Sequence, residues 1–594
     1  MVLFRPRGTG SIDNERRACR MKQKLDRIMF ETSVVYIALP VFIFLAGWLR
    51  LTVAIPACVI FLISLYMMLK NRPDTISWHL TRAQWGVVLA SFLILALWVF
   101  FSGQGGFSFQ NSDFHYRNAI FRDLIEKPWP VMYDYSAQNI PSDGGIAVGL
   151  DTMILTYYIA FWLPGALVGK IFGWYAANAF LYFWALLGVS LITYYLFRTL
   201  RNVSVWSVII LIFFSGLDLL GYLLLSKGVM PGPIAHIEWW SGLQYSSNTT
   251  LLYWVFNQTI AIWLAILLIL NLKNTRSLLF LYAMLLLHGP FPFLGLLPIV
   301  LWKAYQGYPL RISPKSNLDE NAVKTILLWA WNGVRRAITF ENVCGGILVL
   351  AIIYLYLSNN ISGRKVGVNA PTINMFLLFI FEGGLYLLFL FADHRKNPLY
   401  WICIGSLLVI PFFAVGDGQN FCMRVSIPAL FMIQILIQKT LLGKEEEKTA
   451  TNTKLTAPIR QDITAKSSGK PAAYAHGTLS VINRRFVKCI LVILLIIGAA
   501  VPIQEMSRSV VYTLPSYEVT RSAMISIGTA FTESGDPSRS TFGNTMLTQS
   551  QYGYTWADDL RTLGNGKGSS NPSVFNNLLG STQDNLFYKY LARQ

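Results

Sequence analysis

Long apolar segments separated by short polar ones dominate the pattern along this chain. A helix needs roughly 20 mostly apolar residues to cross the hydrocarbon core of a bilayer. Segments of this kind lie at 32–49, 51–69, 84–101, 175–197, 203–225, 251–272, 343–358, 373–392, 398–414, 423–441 and 487–503. Because lipid offers no hydrogen-bond partner to the backbone, each segment is expected to form a helix. The pattern therefore predicts an all-α polytopic membrane protein.

Two further apolar stretches contain helix-breaking residues in their middle. Residues 152–173 include Trp162-Leu163-Pro164-Gly165, and residues 277–303 include His288-Gly289-Pro290-Phe291-Pro292. Proline removes a helical hydrogen bond and clashes with the preceding turn. Both stretches are therefore expected to be broken or re-entrant helices.

Basic residues at the ends of the segments predict the side on which each loop lies, since they are held back from crossing the membrane. Lys70 and Arg82 place the second loop in the cytoplasm, so residues 102–151 form the first external loop. A re-entrant stretch at 152–173 then keeps Arg198 in the cytoplasm as well. We expect a multi-pass protein of a bacterial inner membrane, with a cytoplasmic N-terminus and an external C-terminus.

The chain divides by composition into successive regions. They are a basic cytoplasmic N-terminus at 1–30, a transmembrane region at 31–442, a polar cytoplasmic linker at 443–486, a last transmembrane helix at 487–503 and an external C-terminal domain at 504–594. The linker has too few large apolar residues to bury a core and is expected to be disordered. The C-terminal region carries scattered aromatic residues and is expected to form a small domain.

Composition agrees with a membrane protein and argues against other classes. Apolar residues make up 54% of the chain and charged residues only 13%, whereas charged residues are about a quarter of a typical soluble protein. The formal net charge of +19 clusters beside the apolar segments, which is typical of cytoplasmic loops and not of a nucleic-acid surface. The six cysteines lack the paired spacing of a disulfide framework or a zinc site. Nucleic-acid binding, redox chemistry and a structural metal are therefore not expected.

The first external loop is the richest in candidate polar residues. Asp113, His115 and Arg117 lie in the stretch 111–125, whose apolar positions suit a short helix on the membrane surface. On such a helix Asp113 and Arg117 are neighbours one turn apart. One interpretation makes Asp113 an N-terminal cap, because it follows an Asn-Ser turn. The other makes the group a reactive site, since a cap alone does not explain the histidine and arginine beside it.

This arrangement resembles a known family, the multi-span glycosyltransferases of the GT-C fold, which use polyprenyl-phosphate-linked sugars. An acidic residue in the first large external loop, followed by an aromatic and basic turn, is similar to the catalytic subunit of oligosaccharyltransferase, to protein O-mannosyltransferases and to lipid A aminoarabinose transferases. The resemblance implies a GT-C-like bundle of about 11–13 transmembrane helices. It also implies that Asp113 is the general base that activates the acceptor.

The same resemblance bears on cofactors. Metal-dependent relatives carry paired acidic residues where this chain has Asp113-Phe114-His115. A divalent cation is therefore possible but not required, and Asp113 and His115 are the residues that would hold it. No cofactor is certain.

Other polar and aromatic residues on the predicted external side would fit the same site. The candidates for substrate binding, besides His115 and Arg117, are Asp218, His236, Glu238, Trp239, Tyr245, Asn248 and Gln258. An unpaired carboxylate inside a span is costly, so Asp218 needs a partner or a cavity. The alternative for Trp239 is an interfacial aromatic belt, and for Gln258 a bond to a neighbouring helix.

An anionic lipid phosphate near the outer surface needs a basic side chain or exposed amide groups. Arg424 lies at the predicted external start of an apolar segment, and arginine can grip phosphate with two parallel hydrogen bonds. The alternative is an arginine that snorkels to the interface. His288, at the tip of the broken hairpin, is a second phosphate-binding candidate. Its alternative is a packed histidine that stabilises the kink.

These features together predict a membrane glycosyltransferase that works on the external face. It would move a sugar from a polyprenyl-phosphate donor to a lipid-linked, glycan or protein acceptor. Membrane lipids would surround the protein as further partners. Two alternatives stay open. One is a polymerase or ligase for surface polysaccharide, which would leave a ladder of repeat units. The other is a flippase or transporter of lipid-linked sugar.

Overall fold

The structure is a computed structural model, and it is mostly helical. It describes residues 9–70, 81–111, 113–134, 152–228, 237–238, 243–272, 274–307, 331–360, 366–415, 419–443, 473–513, 579–581 and 585–593. Most of the predicted linker and of the predicted C-terminal domain lies outside the described residues.

The helices follow one another with short connections. The α-helices are α1 (Thr9–Trp48), α2 (Leu51–Lys70), α3 (Arg82–Phe100), α4 (Phe114–Glu126), α5 (Leu163–Leu200), α6 (Val205–Phe213), α7 (Asp218–Leu225), α8 (Asn248–Trp254), α9 (Phe256–Asn271), α10 (Leu278–Met284), α11 (Pro290–Gly307), α12 (Trp331–Ala337), α13 (Leu348–Leu357), α14 (Ile373–Phe379), α15 (Leu385–His394), α16 (Pro398–Val409), α17 (Gln419–Val425), α18 (Ile427–Leu442), α19 (Ala473–Gly498) and α20 (Ala500–Thr513). Wider π-helical turns occur at Glu341–Ile347, Ile380–Gly384 and Phe587–Leu591, and a 3₁₀ turn at Ile410–Phe412.

Apolar helices long enough to cross a membrane confirm a polytopic membrane protein. The described residues contain 7 of them, or up to 8 if the pair Trp331–Ala337 and Glu341–Leu357, bent by 73° at the break between them, counts as one span. Shorter apolar helices occupy Phe256–Asn271, Pro398–Phe412 and Ile427–Leu442. Every apolar segment predicted from the sequence contains helix, because a backbone in lipid must bond to itself.

Two of the predicted spans are broken, which the sequence pattern did not indicate. Segment 203–225 is divided between α6 and α7, and segment 251–272 is divided at Val255 between α8 and α9. At the first break the chain passes so close to Glu382 that a side chain on Gly216 would collide with that carboxylate. Tertiary contacts therefore override a continuous apolar pattern at this point.

The stretch 152–173 is interrupted just before Pro164-Gly165, but its first half is not the helix that the prediction expected. Strand β2 leads into a buried irregular turn, and α5 then begins with Pro164 in its first turn. A reversal that was not predicted occurs at Gly173, where φ is 83° and ψ is −177°. A methyl group on Gly165 would lie 2.8 Å from Leu181. The first part of α5 therefore packs back along the longer part that follows.

The predicted hairpin in 277–303 is also present. Helices α10 and α11 are separated by a turn at 285–289 that contains His288. The ring of Tyr282 stacks on Phe293 with centroids 4.0 Å apart. At the open end, a methyl group on Gly307 would lie 2.6 Å from the hydroxyl oxygen of Thr275. The two helices therefore run side by side from base to tip.

Five short strands occur between the helices of the described chain. The strands are β1 (Met132–Asp134), β2 (Thr152–Leu155), β3 (Val366–Val368), β4 (Phe413–Val415) and β5 (Leu579–Ser581). They form two antiparallel sheets, one with the order β1-β2-β5 and one that pairs β3 with β4. The C-terminal residues also contact the α1–α2 turn, through a bridge between Leu49 and Ala592. We call the side that carries this turn, α4 and the first sheet the loop face.

At the opposite end of the bundle, α1 and α5 are joined by buried polar groups. Arg198 Nη1 lies 3.5 Å from Asp26 Oδ2, and the hydroxyl of Tyr194 donates to the same carboxylate. Both charged side chains are almost completely buried. Pairing offsets the cost of removing each charge from water, so this contact holds the ends of two long helices together.

Replacement of Gly173 by alanine is expected to lower stability by about 1–3 kcal/mol, because its φ and ψ fall in a region that is essentially restricted to glycine. Gly405 is the matched control, since it lies inside α16 and a methyl group there meets nothing within 4 Å. Thermal unfolding of the detergent-solubilised protein should show a lower midpoint for Gly173→Ala and an unchanged or higher one for Gly405→Ala. Equal midpoints for wild type and Gly173→Ala would show that the backbone at Gly173 is not strained.

Candidate functional site

Asp113 precedes α4 but does not cap it. Its side chain makes no capping hydrogen bond, and its backbone is already helical. Instead, Oδ2 of Asp113 accepts a hydrogen bond of 2.8 Å from Nη2 of Arg117 one turn later. The interpretation of Asp113 as an N-cap is therefore wrong. With 47% of its side chain exposed, the carboxylate remains accessible from the loop face.

Arg117 is a buried cation that is held between two aromatic rings. Its side chain is 6% exposed, and its guanidinium carbon lies 5.6 Å from the ring centroid of Phe114 and 5.1 Å from that of Phe256. Phe256 begins α9 immediately after the break at Val255. Nη1 of Arg117 has no hydrogen-bond partner within the part of the chain that the structure describes. One side of this guanidinium can therefore bind an additional acceptor.

Arg424 approaches the same place from α17. Its guanidinium carbon lies 5.8 Å from the ring centroid of Tyr158. Tyr158, Tyr157 and Asp113 all lie close enough to interact electrostatically with this guanidinium. Nε of Arg424 is buried and lacks a hydrogen-bond partner among the described residues. The structure thus brings together Asp113 and Arg424, which the sequence placed far apart.

Tyr157 and Tyr158 complete this group and were missed by the sequence analysis. Their ring centroids lie 3.7 Å apart in the buried turn that follows β2. Arg424 and Arg117 both lie close enough to interact electrostatically with the Tyr157 phenol. Tyr157 therefore belongs to the same group as the two arginines. A tyrosine pair just before a Pro-Gly break was the available signal, but tyrosines are common at membrane interfaces. We call Asp113, Arg117, Tyr157, Tyr158 and Arg424 the arginine cluster.

His288 and Gln258 meet at the tip of the α10–α11 hairpin. Nε2 of His288 is 3.0 Å from the carbonyl oxygen of Ile37, and the side chain is 2% exposed. This contact favours the packed-histidine interpretation over phosphate binding. Gln258 lies against Gly289, where a methyl group would be 2.9 Å from its side-chain oxygen. The amide groups of Asn257 and Gln258 have no partner within the described ranges.

A second polar group lies around the start of α8 and is fully bonded. Oε1 of Glu238 accepts hydrogen bonds from the backbone amide of Ser247 at 2.9 Å and from the hydroxyl of Thr250 at 2.7 Å. Oε2 accepts a hydrogen bond of 2.9 Å from Gln244. These bonds place a carboxylate at the N-terminus of a helix, where it is favoured. Glu238 therefore stabilises the fold.

Asp218, Tyr245 and Asn248 also have partners inside the protein. Asp218 accepts a hydrogen bond of 3.0 Å from Ser215 and shares a side-chain hydrogen bond with Glu382. The hydroxyl of Tyr245 donates to the carbonyl of Leu407 at 2.6 Å. The amide of Asn248 donates to the carbonyl of Leu211 at 2.8 Å and to the side chain of Gln434 at 3.1 Å.

These partners connect neighbouring helices and the two halves of broken ones. Tyr245 and Asn248, like Glu238, bond to groups of the protein and contribute to packing, although Oδ1 of Asn248 and Oδ1 of Asp218 have no partner among the described residues. Among the described candidates for substrate binding, Arg117 belongs to the arginine cluster, Gln258 lies at the hairpin tip, and the others belong to the scaffold.

Some predicted residues cannot be placed. His236 and Trp239 lie outside the described residues, as does the side chain of His115, although its backbone belongs to α4. Within the described ranges, no group of three or more His, Cys, Asp and Glu side chains could hold a metal ion. A cation held by Asp113 and His115 stays a prediction.

Helix α20 packs against α8 and the start of the first loop, a contact that the sequence did not predict. The indole nitrogen of Trp254 donates to Oε2 of Glu505 at 2.9 Å, and Arg508 pairs with the same carboxylate. The guanidinium carbon of Arg508 lies 5.3 Å from the Trp254 ring centroid. Ser509 donates a hydrogen bond to the carbonyl of Phe101. The end of the last span thus holds α8 and the residues before Asp113 in place.

Comparison with known proteins adds no relative to this description. No protein-family model, curated protein or solved structure matches the chain. The geometry of the arginine cluster is therefore the basis for a functional conclusion.

Replacement of Glu238 by alanine is expected to destabilise the protein by about 1–3 kcal/mol or more, because it leaves buried donors without an acceptor. Asp218→Asn is the matched control, since an amide can still accept from Ser215 and donate to Glu382. Thermal unfolding should therefore separate the two variants. A Glu238→Ala protein as stable as wild type would contradict the scaffold role.

Proposed function

We propose that this protein is a membrane glycosyltransferase that transfers a sugar from a polyprenyl-phosphate donor at its loop face. One observation carries this proposal. Arg117 bonds to the accessible carboxylate of Asp113 at 2.8 Å, Arg424 lies within electrostatic range of the same carboxylate, and each arginine keeps a buried guanidinium nitrogen that has no partner among the described residues. An anionic leaving group and a proton-accepting base are the two requirements of sugar transfer from a lipid phosphate.

The arginines suit a phosphate ligand. Arg117 is held by Asp113 on one side and by aromatic rings on its faces, so its orientation is set before a ligand arrives. Arg424 lies against Tyr158 and keeps Nε free of partners within the described residues. A planar guanidinium presents parallel donors to phosphate oxygens. Both arginines would stabilise the negative charge that develops on the departing polyprenyl phosphate.

Asp113 supplies the base. The acceptor hydroxyl gives its proton to the Asp113 carboxylate while its oxygen forms a bond to the anomeric carbon of the sugar. The bond between that carbon and the phosphate oxygen breaks, and its electron pair stays on the polyprenyl phosphate. Tyr157 and Tyr158, whose rings pack against each other, lie next to the two arginines and would border the bound sugar. The acceptor is a lipid-linked, glycan or protein hydroxyl on the external side of a bacterial inner membrane.

Asp113→Asn is expected to reduce transfer by about 10²–10⁴-fold, because the amide cannot accept the proton. Arg424→Ala is expected to reduce it by about 10²–10³-fold through loss of charge stabilisation. Glu126→Gln is the control, since Glu126 pairs with Arg122 at 3.0 Å on the surface of α4. Mass spectrometry of lipid-linked and surface glycans in cells that lack the protein and are complemented with each variant measures the effect.

Loss of one sugar with both site variants, and its presence with Glu126→Gln, would support the transferase. Equal protein levels in the membrane are the necessary control. Full transfer by Asp113→Asn and by Arg424→Ala would refute the proposal. Loss of a whole ladder of repeat units would instead indicate a polymerase or ligase.

A flippase for lipid-linked sugar is the second candidate. The broken helix at Val255 and the α10–α11 hairpin meet where Gln258 touches Gly289. Discontinuous helices that meet in the membrane are typical of transport sites, and Asn257 and Gln258 here keep buried amide atoms without partners among the described residues.

Gln258→Ala and Asp113→Asn separate the two functions. In a flippase, Gln258→Ala should slow movement of a fluorescent polyprenyl-phosphate sugar across reconstituted vesicles at least as much as Asp113→Asn does. In a transferase, neither variant should change such movement, and only the loss of transfer would follow Asp113→Asn. Wild-type protein that moves no labelled lipid would remove the flippase from consideration.

A further inference from the structure

The C-terminal residues are built into the loop face beside the arginine cluster. Strand β5 pairs antiparallel with β2, with Leu579 opposite Leu155. The turn Phe587–Leu591 that follows docks on the α1–α2 connection. There the backbone amide of Arg50 donates to the carbonyl of Leu591 at 2.8 Å, and its Nε donates to the carbonyl of Ala592 at 2.8 Å. The turn Phe587–Leu591 and Ala592 are therefore anchored to the α1–α2 connection.

Phe587 connects this anchor to the end of α13. Its side chain is fully buried, and its ring centroid lies 5.4 Å from that of Tyr356 and 6.3 Å from that of Phe44. Tyr356 is also fully buried. Aromatic contacts of this kind hold both rings in one orientation. Removal of Phe587 would open a cavity directly beside Tyr356.

The hydroxyl of Tyr356 binds the backbone at the start of the buried turn that follows β2. It accepts a hydrogen bond of 3.1 Å from the amide of Tyr157. Two carbonyl oxygens lie within reach of its single proton. They are that of Leu155 at 3.0 Å and that of Tyr157 at 3.1 Å. Asn360, one turn further, donates to the carbonyl of Thr156 at 3.0 Å. Three successive residues are thus held by side chains from the end of α13.

These residues need such support because the turn has no regular hydrogen-bonding pattern of its own. Residues 156–162 lie between a short strand and α5, and most of them are buried. A buried irregular backbone requires partners from elsewhere in the protein. Tyr157 and Tyr158 belong to this turn, and the Tyr158 ring lies 5.8 Å from the Arg424 guanidinium carbon. The orientation of the arginine cluster therefore depends on the contacts of Tyr356.

We propose that Tyr356 is a positioning residue for the arginine cluster and that the C-terminal residues 579–581 and 585–593 keep it in place. Phe587 orients the Tyr356 ring, and Tyr356 orients Tyr157 and Tyr158 against Arg424. The structural part of this proposal stands alone. Its consequence for ligand binding rests on the proposed function.

Hydrogen exchange in the full-length, detergent-solubilised protein tests the structural part. Tyr356→Phe should speed amide exchange in the peptide 152–163 by about 3–10-fold, because the amide of Tyr157 loses one hydrogen bond. Tyr354→Phe is the matched control, since Tyr354 lies two residues away on α13 with 65% of its surface exposed. Phe587→Ala should act like Tyr356→Phe, and Phe587→Leu, which refills the space, should restore slow exchange.

Binding of polyprenyl phosphate to the same proteins tests the consequence. Tyr356→Phe and Phe587→Ala should weaken its affinity by about 3–10-fold, while Tyr354→Phe and Phe587→Leu should retain it. Arg424→Ala reports on the proposed function itself. If even wild type does not bind polyprenyl phosphate, the proposed function fails, and the exchange data still decide the structural link.

Unchanged exchange in 152–163 for both Tyr356→Phe and Phe587→Ala would overturn the proposal. Faster exchange with unchanged affinity, in a protein whose Arg424→Ala variant does lose affinity, would also overturn the positioning role. Thermal unfolding of each variant shows whether it is folded. The conservative Tyr356→Phe keeps the comparison decisive if Phe587→Ala does not fold.

Discussion

The cost of an unpaired backbone group in a membrane determines how this protein is built. A continuous helix bonds to itself, but a broken one exposes amides and carbonyls that lipid cannot satisfy. The breaks are therefore enclosed by other parts of the chain. At the α6–α7 break, the amide of Leu217 donates to the carbonyl of Phe381 at 2.9 Å, and the amide of Asn248 donates to the carbonyl of Phe214 at 3.1 Å. The turn after β2 is covered by Tyr356 in the same way.

Enclosing the breaks also concentrates polar side chains in one region. Phe256 begins α9 at one break and carries the buried guanidinium of Arg117 on its ring. Gln258, half a turn further, meets the tip of the α10–α11 hairpin at Gly289. Side chains that would be costly within a continuous span are accommodated here, because the surrounding protein excludes lipid. A candidate site thus arises at the same points that the backbone constraint makes necessary.

The polar group around Glu238 and the arginine cluster differ in whether their buried polar atoms have hydrogen-bond partners. Glu238 has donors on both carboxylate oxygens, and a satisfied network of this kind stabilises a fold. Arg117 and Arg424 keep buried nitrogens without partners within the described residues. A buried polar atom without a partner costs free energy that a ligand can recover. Hydrogen-bond satisfaction thus separates Glu238 from the two arginines.

The sequence alone determined the features that depend on neighbouring residues. Apolar length predicted the helices, because each helical hydrogen bond in lipid closes within one segment. Pro164 and the His288-Gly289-Pro290 run predicted two places where helix is interrupted, and the spacing of Asp113 and Arg117 predicted their pair. Only the tertiary structure decided the breaks within apolar spans and the approach of Arg424 to Tyr158. Such contacts join residues far apart in the chain, so they depend on how helices pack against each other, which no local pattern encodes.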